Sequence, residues 1–321
     1  MYNKGQINKD EVTSMKIRQT RIQSSNGKDQ LYVKIWQPKG SSKGVLQIIH
    51  GMIEHIERYD SFAQYLVNKG YTVVGHDHLG HGQTVKHPKE YGTFGETQGA
   101  DYLVADVELV QRFVAEEFPN QAYYILGHSM GSLILRNYLY RNDAKLAGAI
   151  IMGTTMEAPA KMTSAVLLTE SLQPFRNQKW PYQVMERLVF GQHNRRFQPN
   201  RTAKDWLSSD VQQVDAYLAD PHTHFHFSLN AYRDLFLLTK KASDPQLLRR
   251  IAPDLPLLLI SGSDDPVGHY GKSVRQLASC LNKQGQQTLT VYLLEDGRHE
   301  ILNETNKHIV YREIWQWLES N

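Results

Sequence analysis

Cysteine is almost absent from this sequence: Cys280 is the only one among 321 residues, so no disulfide can form within the chain. It lies in the helix-like pattern Val274-Arg275-Gln276-Leu277-Ala278-Ser279-Cys280-Leu281 and is expected to be a small core residue. Long apolar runs are missing too. No stretch reaches the roughly 20 residues that a membrane-spanning helix needs, and Met1 to Asp10 carries no apolar leader segment. Neither sign of charge dominates, since 36 Lys and Arg face 33 Asp and Glu, and a net charge of +3 gives no mandate for nucleic acid. The small basic excess leaves room for transient contact with an anionic membrane surface, although solvated charge is the plainer reading. Repeats and low-complexity tracts are lacking. With 40% hydrophobic and 21% charged residues, the expectation is a cytoplasmic chain, long enough for one large α/β domain with an insertion.

Apolar patterning along the chain alternates between strand and helix. Met15 to Ile22 and Gln30 to Trp36 read as antiparallel edge strands around Ser24-Ser25-Asn26-Gly27, after a polar tail expected to fray. Further strands are expected at Gly44 to Ile49, Tyr71 to Gly75, Tyr123 to Leu126, Leu146 to Met152, Leu255 to Ser261 and Thr288 to Leu294. Helical periodicity marks Ile56 to Asn68, Ala100 to Phe118, Gly271 to Leu281 and Thr305 to Leu318. Such alternation predicts an α/β fold with a mostly parallel central sheet and helices on both faces. From Thr154 to Thr239 the rhythm breaks into helical patterns without a convincing strand. The expected division is therefore 1–27 as tail and first edge strand, 28–153 and 240–321 as two parts of the core, and 154–239 as an inserted helical cap.

The most informative stretch is Tyr123-Tyr124-Ile125-Leu126-Gly127-His128-Ser129-Met130-Gly131-Ser132, followed by a helix-like run. Gly-x-Ser-x-Gly fixes only three residues and arises by accident in surface loops, but a strand before it and a helix after it are what a nucleophile elbow requires. Ser129 is the candidate nucleophile. A serine hydroxyl needs a base, an acid to orient that base, and donors for a developing oxyanion. In this architecture the acid and histidine follow the serine, each after a C-terminal strand. The Leu255 to Ser261 strand ends in Gly262-Ser263-Asp264-Asp265-Pro266-Val267, which offers two aspartates that loop chemistry alone does not separate. The last strand runs into Glu295-Asp296-Gly297-Arg298-His299-Glu300, which makes His299 the candidate base. For the oxyanion, the expected donors are the backbone N–H groups of Met130, next to the serine, and Met52, in the His50-Gly51-Met52 loop after an earlier strand.

These residues carry a family resemblance. His50-Gly51-Met52-Ile53-Glu54-His55 with Arg58-Tyr59 resembles an H-G-x-x-E-H-x-x-R-Y segment, and His76-Asp77-His78-Leu79-Gly80-His81-Gly82-Gln83-Thr84 resembles a D-H-x-G-H-G-x-S turn. Both segments, with the elbow, are similar to those of α/β-hydrolase serine hydrolases in the branch of monoacylglycerol lipases and bacterial lysophospholipases. The likeness runs from about Lys28 to the C-terminus. It implies an α/β-hydrolase fold, no cofactor, and an acid at the fourth position of a G-x-x-D loop, which falls on Asp265. Monoacylglycerols or lysophospholipids are the substrates it implies. Trp206 to Asp210, Val214 to Tyr217 and Asp220-Pro221 resemble the cap of firmicute lysophospholipase-like members. Thr84 replaces the usual serine, and Ile53 stands where many members have glycine.

Other readings follow from the same residues. A proline-aminopeptidase-type peptidase would share the triad but would need acidic groups for a substrate's amino terminus. A binding protein could keep the fold without catalysis. Met162, Val166, Leu167, Leu168, Phe175 and Trp180 are candidates to line a groove for a hydrocarbon tail, or else simply to bury the cap. His76, His78 and His81, and the alternating His222, His224 and His226, invite a metal reading. Neither cluster has the carboxylate or cysteine that would complete a site, so no metal is expected.

Overall fold

The computed structural model describes residues 15–141 and 146–321. The expected N-terminal tail up to residue 14 lies outside the described residues. Eight strands form one sheet: β1 (Lys16–Gln23), β2 (Gln30–Gln37), β3 (Gly44–Ile49), β4 (Thr72–His76), β5 (Ala122–His128), β6 (Gly148–Met152), β7 (Leu257–Gly262) and β8 (Leu289–Leu294). Their spatial order is β1-β2-β4-β3-β5-β6-β7-β8. β1 and β2 run antiparallel to each other, and β2 runs antiparallel to β4; all remaining pairs are parallel.

Among the described residues the α-helices are α1 (Asp60–Asn68), α2 (Gly99–Glu117), α3 (Met130–Leu139), α4 (Pro159–Leu172), α5 (Trp180–Phe190), α6 (Val211–Ala219), α7 (Leu229–Ala242), α8 (Pro245–Leu248), α9 (Lys272–Lys283) and α10 (Lys307–Ser320). Period-two alternation divides the sheet between two cores. Leu46 and Ile48 of β3 and Leu258 and Ile260 of β7 face the core shared with α1 and α10. Val45, Ile49, Leu257 and Leu259 face the core shared with α2, α3 and α9. Strands buried on both faces are mostly apolar, which is why β3, β6 and β7 read as near-continuous hydrophobic runs; the exception in β3, Gln47, donates to Val107 O (3.2 Å) and accepts from Tyr123 OH (2.8 Å).

Among the described residues between 154 and 239 there is no strand. Helices α4, α5 and α6 lie there; Asp210 caps α6 through the N–H groups of Gln212 and Gln213, and Ser228 caps α7 through Ala231 N–H. Helix α7 runs on to Ala242, past the boundary expected at 239. It packs on α4 and also on α2 and α3. Buried Arg136 ties the two ends of the segment from 154 to 242 together: it donates to Thr154 Oγ1 (3.0 Å) and Thr155 O (2.7 Å) at the start and to Ala242 O (2.9 Å) at the end.

Strand order fixes where a site can form. The chain passes from β3 to β4 on one side, then crosses back to place β5 on the other side of β3, and a crevice opens at such a reversal beyond the strands' carboxyl ends. His50-Gly51-Met52 and Ser129 lie at that end of β3 and β5, while the loops after β7 and β8 carry Asp265 and His299.

Candidate active site

Ser129 sits between β5 and α3 with φ 53° and ψ −119°, a left-handed conformation that is costly for a residue with a side chain. Close packing enforces it. A Cβ on Gly127 would lie 2.4 Å from Gly131 O, and one on Gly131 would lie 2.0 Å from Ile49 O, so only glycine lets α3 approach the sheet this closely.

His299 Nε2 lies 2.8 Å from Ser129 Oγ, and His299 Nδ1 lies 2.9 Å from Asp265 Oδ1. An ionised carboxylate only accepts, so Nδ1 carries the hydrogen and Nε2 is left to accept from the serine. Burial pushes the Asp265 carboxyl up, but His299 and the donors Ser261 Oγ (3.0 Å) and Val267 N–H (2.9 Å) together hold it below the usual carboxylate range. Asp264 points elsewhere, to Arg196 at 3.3 Å. Geometry thus separates the two aspartates that loop chemistry leaves open.

Met52 and Met130 border the same cavity as Ser129 and His299. The N–H of neither methionine makes a hydrogen bond to another group among the described residues. The Met52 peptide is held by its neighbour: Ile53 N–H donates to His81 Nε2 (3.3 Å) and Ile53 O accepts from Tyr217 OH (3.0 Å) of α6. Ile53 itself has φ 55°, which explains why glycine suits this position elsewhere. Thr84 keeps the role of a hydroxyl residue in its turn, donating to Asp77 O (2.6 Å) and accepting from Tyr32 N–H (2.9 Å).

Beneath the His50-Gly51-Met52 loop lies a buried ionic group that motif reading left without roles. Glu54 accepts from Gly51 N–H, from Tyr59 OH (2.9 Å) and from Arg58 (3.2 Å), while Arg58 grips Glu300 with two bonds of 2.6 and 2.7 Å. His128 has Glu54 Oε1 at 3.0 Å from Nδ1 and His299 O at 3.3 Å from Nε2. Tyr59 OH also lies 3.1 Å from Nδ1, and the Glu54 carboxylate beside that nitrogen favours the charged form of the ring. Burial opposes its charge, yet Glu54 holds the His128 pKa above the usual value; in turn His128 and Arg58 hold Glu54 well below its own, against burial. The spacing of Glu54 and Arg58 was visible in the sequence. The partnership of Arg58 with Glu300, from the far end of the chain, was not.

The cavity measures about 700 Å³. Of the candidate groove residues, Met162 and Leu168 line it, joined by Leu133, Leu235 and Phe236. Leu167 of α4, Phe175 of the 3-10 turn after it and Trp180 at the start of α5 instead face outward, at 59%, 42% and 40% exposure, while Val166 packs against the core. Cys280 is half-buried against the core.

His76 at the end of β4 and His78 and His81 of the turn after it pack with His50 as neighbouring rings, 4.1 Å between the His50 and His78 centroids and 4.8 Å between those of His76 and His78. Burial lowers the pKa of all four, to about 4 for His76 and His81. His222 lies in a 3-10 turn rather than an extended segment and faces Tyr91 OH, while His224 faces Leu218 O and His226 pairs with Glu186. No group of three or more His, Cys, Asp or Glu side chains is disposed to hold a metal ion among the described residues. Nor is any helix there long and apolar enough to cross a membrane.

An elbow serine, a histidine within hydrogen-bond reach and a sheet of this order define an α/β-hydrolase-fold serine hydrolase. The sequence matches the Hydrolase_4 family, described as serine aminopeptidase S33, over residues 40–306, and the chain belongs to that family. It is similar to the monoglyceride lipase of Rattus norvegicus, with 25% identity over 90% of this chain and 86% of the relative. Similarity to the monoacylglycerol lipase of Mycolicibacterium smegmatis is 26% over 89% of this chain and 92% of the relative. Among solved structures, a thermostable carboxyl esterase from Bacillus coagulans in complex with glycerol superposes with TM-score 0.87 at 26% identity, covering 95% of this chain and 98% of that one.

Proposed function

We propose that the chain hydrolyses carboxylic esters of single-chain lipids, monoacylglycerols or lysophospholipids, through an acyl-enzyme on Ser129. His299 takes the hydroxyl proton, returns it to the leaving alcohol and then activates water; Asp265 fixes the tautomer and steadies the imidazolium. The N–H groups of Met52 and Met130 receive the oxyanion, about 3 kcal/mol for a single donor in comparable enzymes. The observation that carries the reading is the hydrogen-bonded line from Ser129 through His299 to Asp265 at an apolar cavity large enough for an acyl chain. Relatives that are monoacylglycerol lipases and an esterase neighbour support it.

The family description raises the peptidase reading, which needs a free carboxylate for a substrate's amino terminus. The cavity's carboxylates are occupied: Glu157 by Lys161 and His269, Glu54 and Glu300 by Arg58. That favours the ester. Exposed Leu167, Phe175, Trp180 and Leu188 beside Arg176, Lys179 and Arg187 support transient contact of the cap with an anionic lipid surface, and the lone cysteine suits a cytoplasmic setting. The test is turnover on a series of glyceryl and p-nitrophenyl esters against proline naphthylamide. Ester hydrolysis without amidase activity is expected; the reverse would overturn the proposal.

A further inference from the structure

Most charged groups that line the cavity are answered by a partner of opposite sign. Lys204 is different. It stands in the braced loop between α5 and α6, where Leu207 N–H donates to Lys204 O (2.9 Å), Asn194 Oδ1 accepts from Trp206 N–H (2.8 Å) and Arg298 donates to Asp205 O and Ser208 O. Its ammonium lies 4.8 Å from the Phe190 ring centroid and 5.7 Å from that of Tyr217. No carboxylate comes within ion-pair distance of it among the described residues. Glu186 and Glu300 act on it only from farther off, and they are taken by His226 and Arg58.

A second unanswered group stands beside it. His193 also lines the cavity, and its buried Nδ1 has no hydrogen-bond partner. Its ring sits 5.7 Å from Phe190 and 4.6 Å from Trp206, and Trp206 sits 5.2 Å from His299. The two groups are therefore joined to the base by a short run of packed rings.

We infer that Lys204 and His193 form a subsite for an anionic phosphate carried by the leaving alcohol of the ester. A neutral glycerol would leave the ammonium in a poorly solvated place without a counter-charge, whereas a phosphate supplies the charge and acceptors for both groups. Burial already lowers the Lys204 pKa, the mark of an ammonium short of solvent and partner. Two aromatic faces keep the ammonium in position while the subsite is empty. The inference rests on the proposed ester hydrolysis and narrows its substrate.

The experiment compares kcat/KM for 1-hexanoylglycerol 3-phosphate and 1-hexanoylglycerol in the wild-type chain, Lys204→Met and Lys204→Arg, with hexanoate release as the readout. The wild type is expected to favour the phosphate ester at least tenfold. Lys204→Met should reduce that ratio at least tenfold, chiefly through KM, and Lys204→Arg should restore most of it. Glycerol 3-phosphate should inhibit the wild type competitively and Lys204→Met at least tenfold more weakly. A wild-type ratio near one, or an equal loss on both substrates in Lys204→Met, would overturn the subsite. So would weakened inhibition by hexanoate with an unchanged substrate ratio, which would assign Lys204 to the released carboxylate. If the wild type cleaves neither ester, the ester-hydrolase reading itself fails, an outcome distinct from these.

Discussion

Two walls of one cavity carry charge in different ways. On the wall made by the loops at the strand ends, Glu54 and Glu300 face Arg58 and His128, two carboxylates against a guanidinium and an imidazole, with the remaining lone pairs taken by Gly51 N–H, Tyr59 OH and Asn303 Nδ2. On the wall made by the cap, Lys204 and His193 have no such answer. A balanced buried group gains little net stability from its ion pairs, but it holds its members rigidly in register, here at the carbonyl of His299 and the amide of Gly51. An unbalanced one is costly until something binds. The contrast separates residues that aim the chemistry from residues that await a ligand.

Variants of the strand-end wall should have the largest effects. Ser129→Ala should lower turnover by about 10⁶-fold, the loss for a nucleophilic serine in a comparable enzyme, with circular dichroism unchanged. Asp265→Asn should cost about 10⁴-fold in kcat by favouring the wrong imidazole tautomer, while Asp264→Asn, whose carboxylate meets only Arg196, should stay within a few fold. Equal losses in the two aspartate variants would erase the distinction between them.

Next in size is the ionic group. Glu54→Gln leaves one cation unanswered in a buried place and should destabilise the fold by about 3 kcal/mol in urea titration, with activity falling alongside. A loss below about 0.5 kcal/mol would mean that the balance is immaterial there.

Acid should act on the same wall through His50, His76, His78 and His81. Their folded pKa values are depressed by burial, so the stability tied to neutral rings is present above about 6.5 and falls away in acid, for His76 and His81 as pH drops through about 4. For His76 and His81 the difference by pH 5 is about 2 kcal/mol each. Asp77, raised to about 6 by burial, works the other way and returns about 1 kcal/mol as it takes up its proton. Unfolding free energy at pH 5 should therefore be lower than at pH 7.5; no change would contradict the buried, neutral state of these rings. On the cap, effects should be smaller: Met162→Phe fills part of the cavity and should lower the ratio of dodecanoyl to butanoyl ester turnover by several fold.

The sequence spoke clearly where local constraints are strong. Apolar strands buried on both faces, two glycines with no room for a Cβ, and polar loops after β7 and β8 leave few ways to arrange Ser129, Asp265 and His299. It said less where tertiary packing decides. Met162 and Trp180 look alike in a helical pattern, yet one lines the cavity and the other faces solvent, because hydropathy does not tell how a short helix is rolled against its neighbours. Helix α7 passes the expected cap boundary because it packs on α2 and α3 as well as on α4. The pairing of Arg58 with Glu300, and the lack of a partner for Lys204, depend on residues brought together from distant parts of the chain.

The most direct measurement is intact mass spectrometry of the chain mixed with a fluorophosphonate and, separately, with a slowly deacylating ester, followed by peptide mapping. One adduct per chain, located on Ser129 and absent from Ser129→Ala, is the predicted result. A full-strength adduct in Ser129→Ala, or no adduct in a wild-type chain that still hydrolyses esters, would contradict the account.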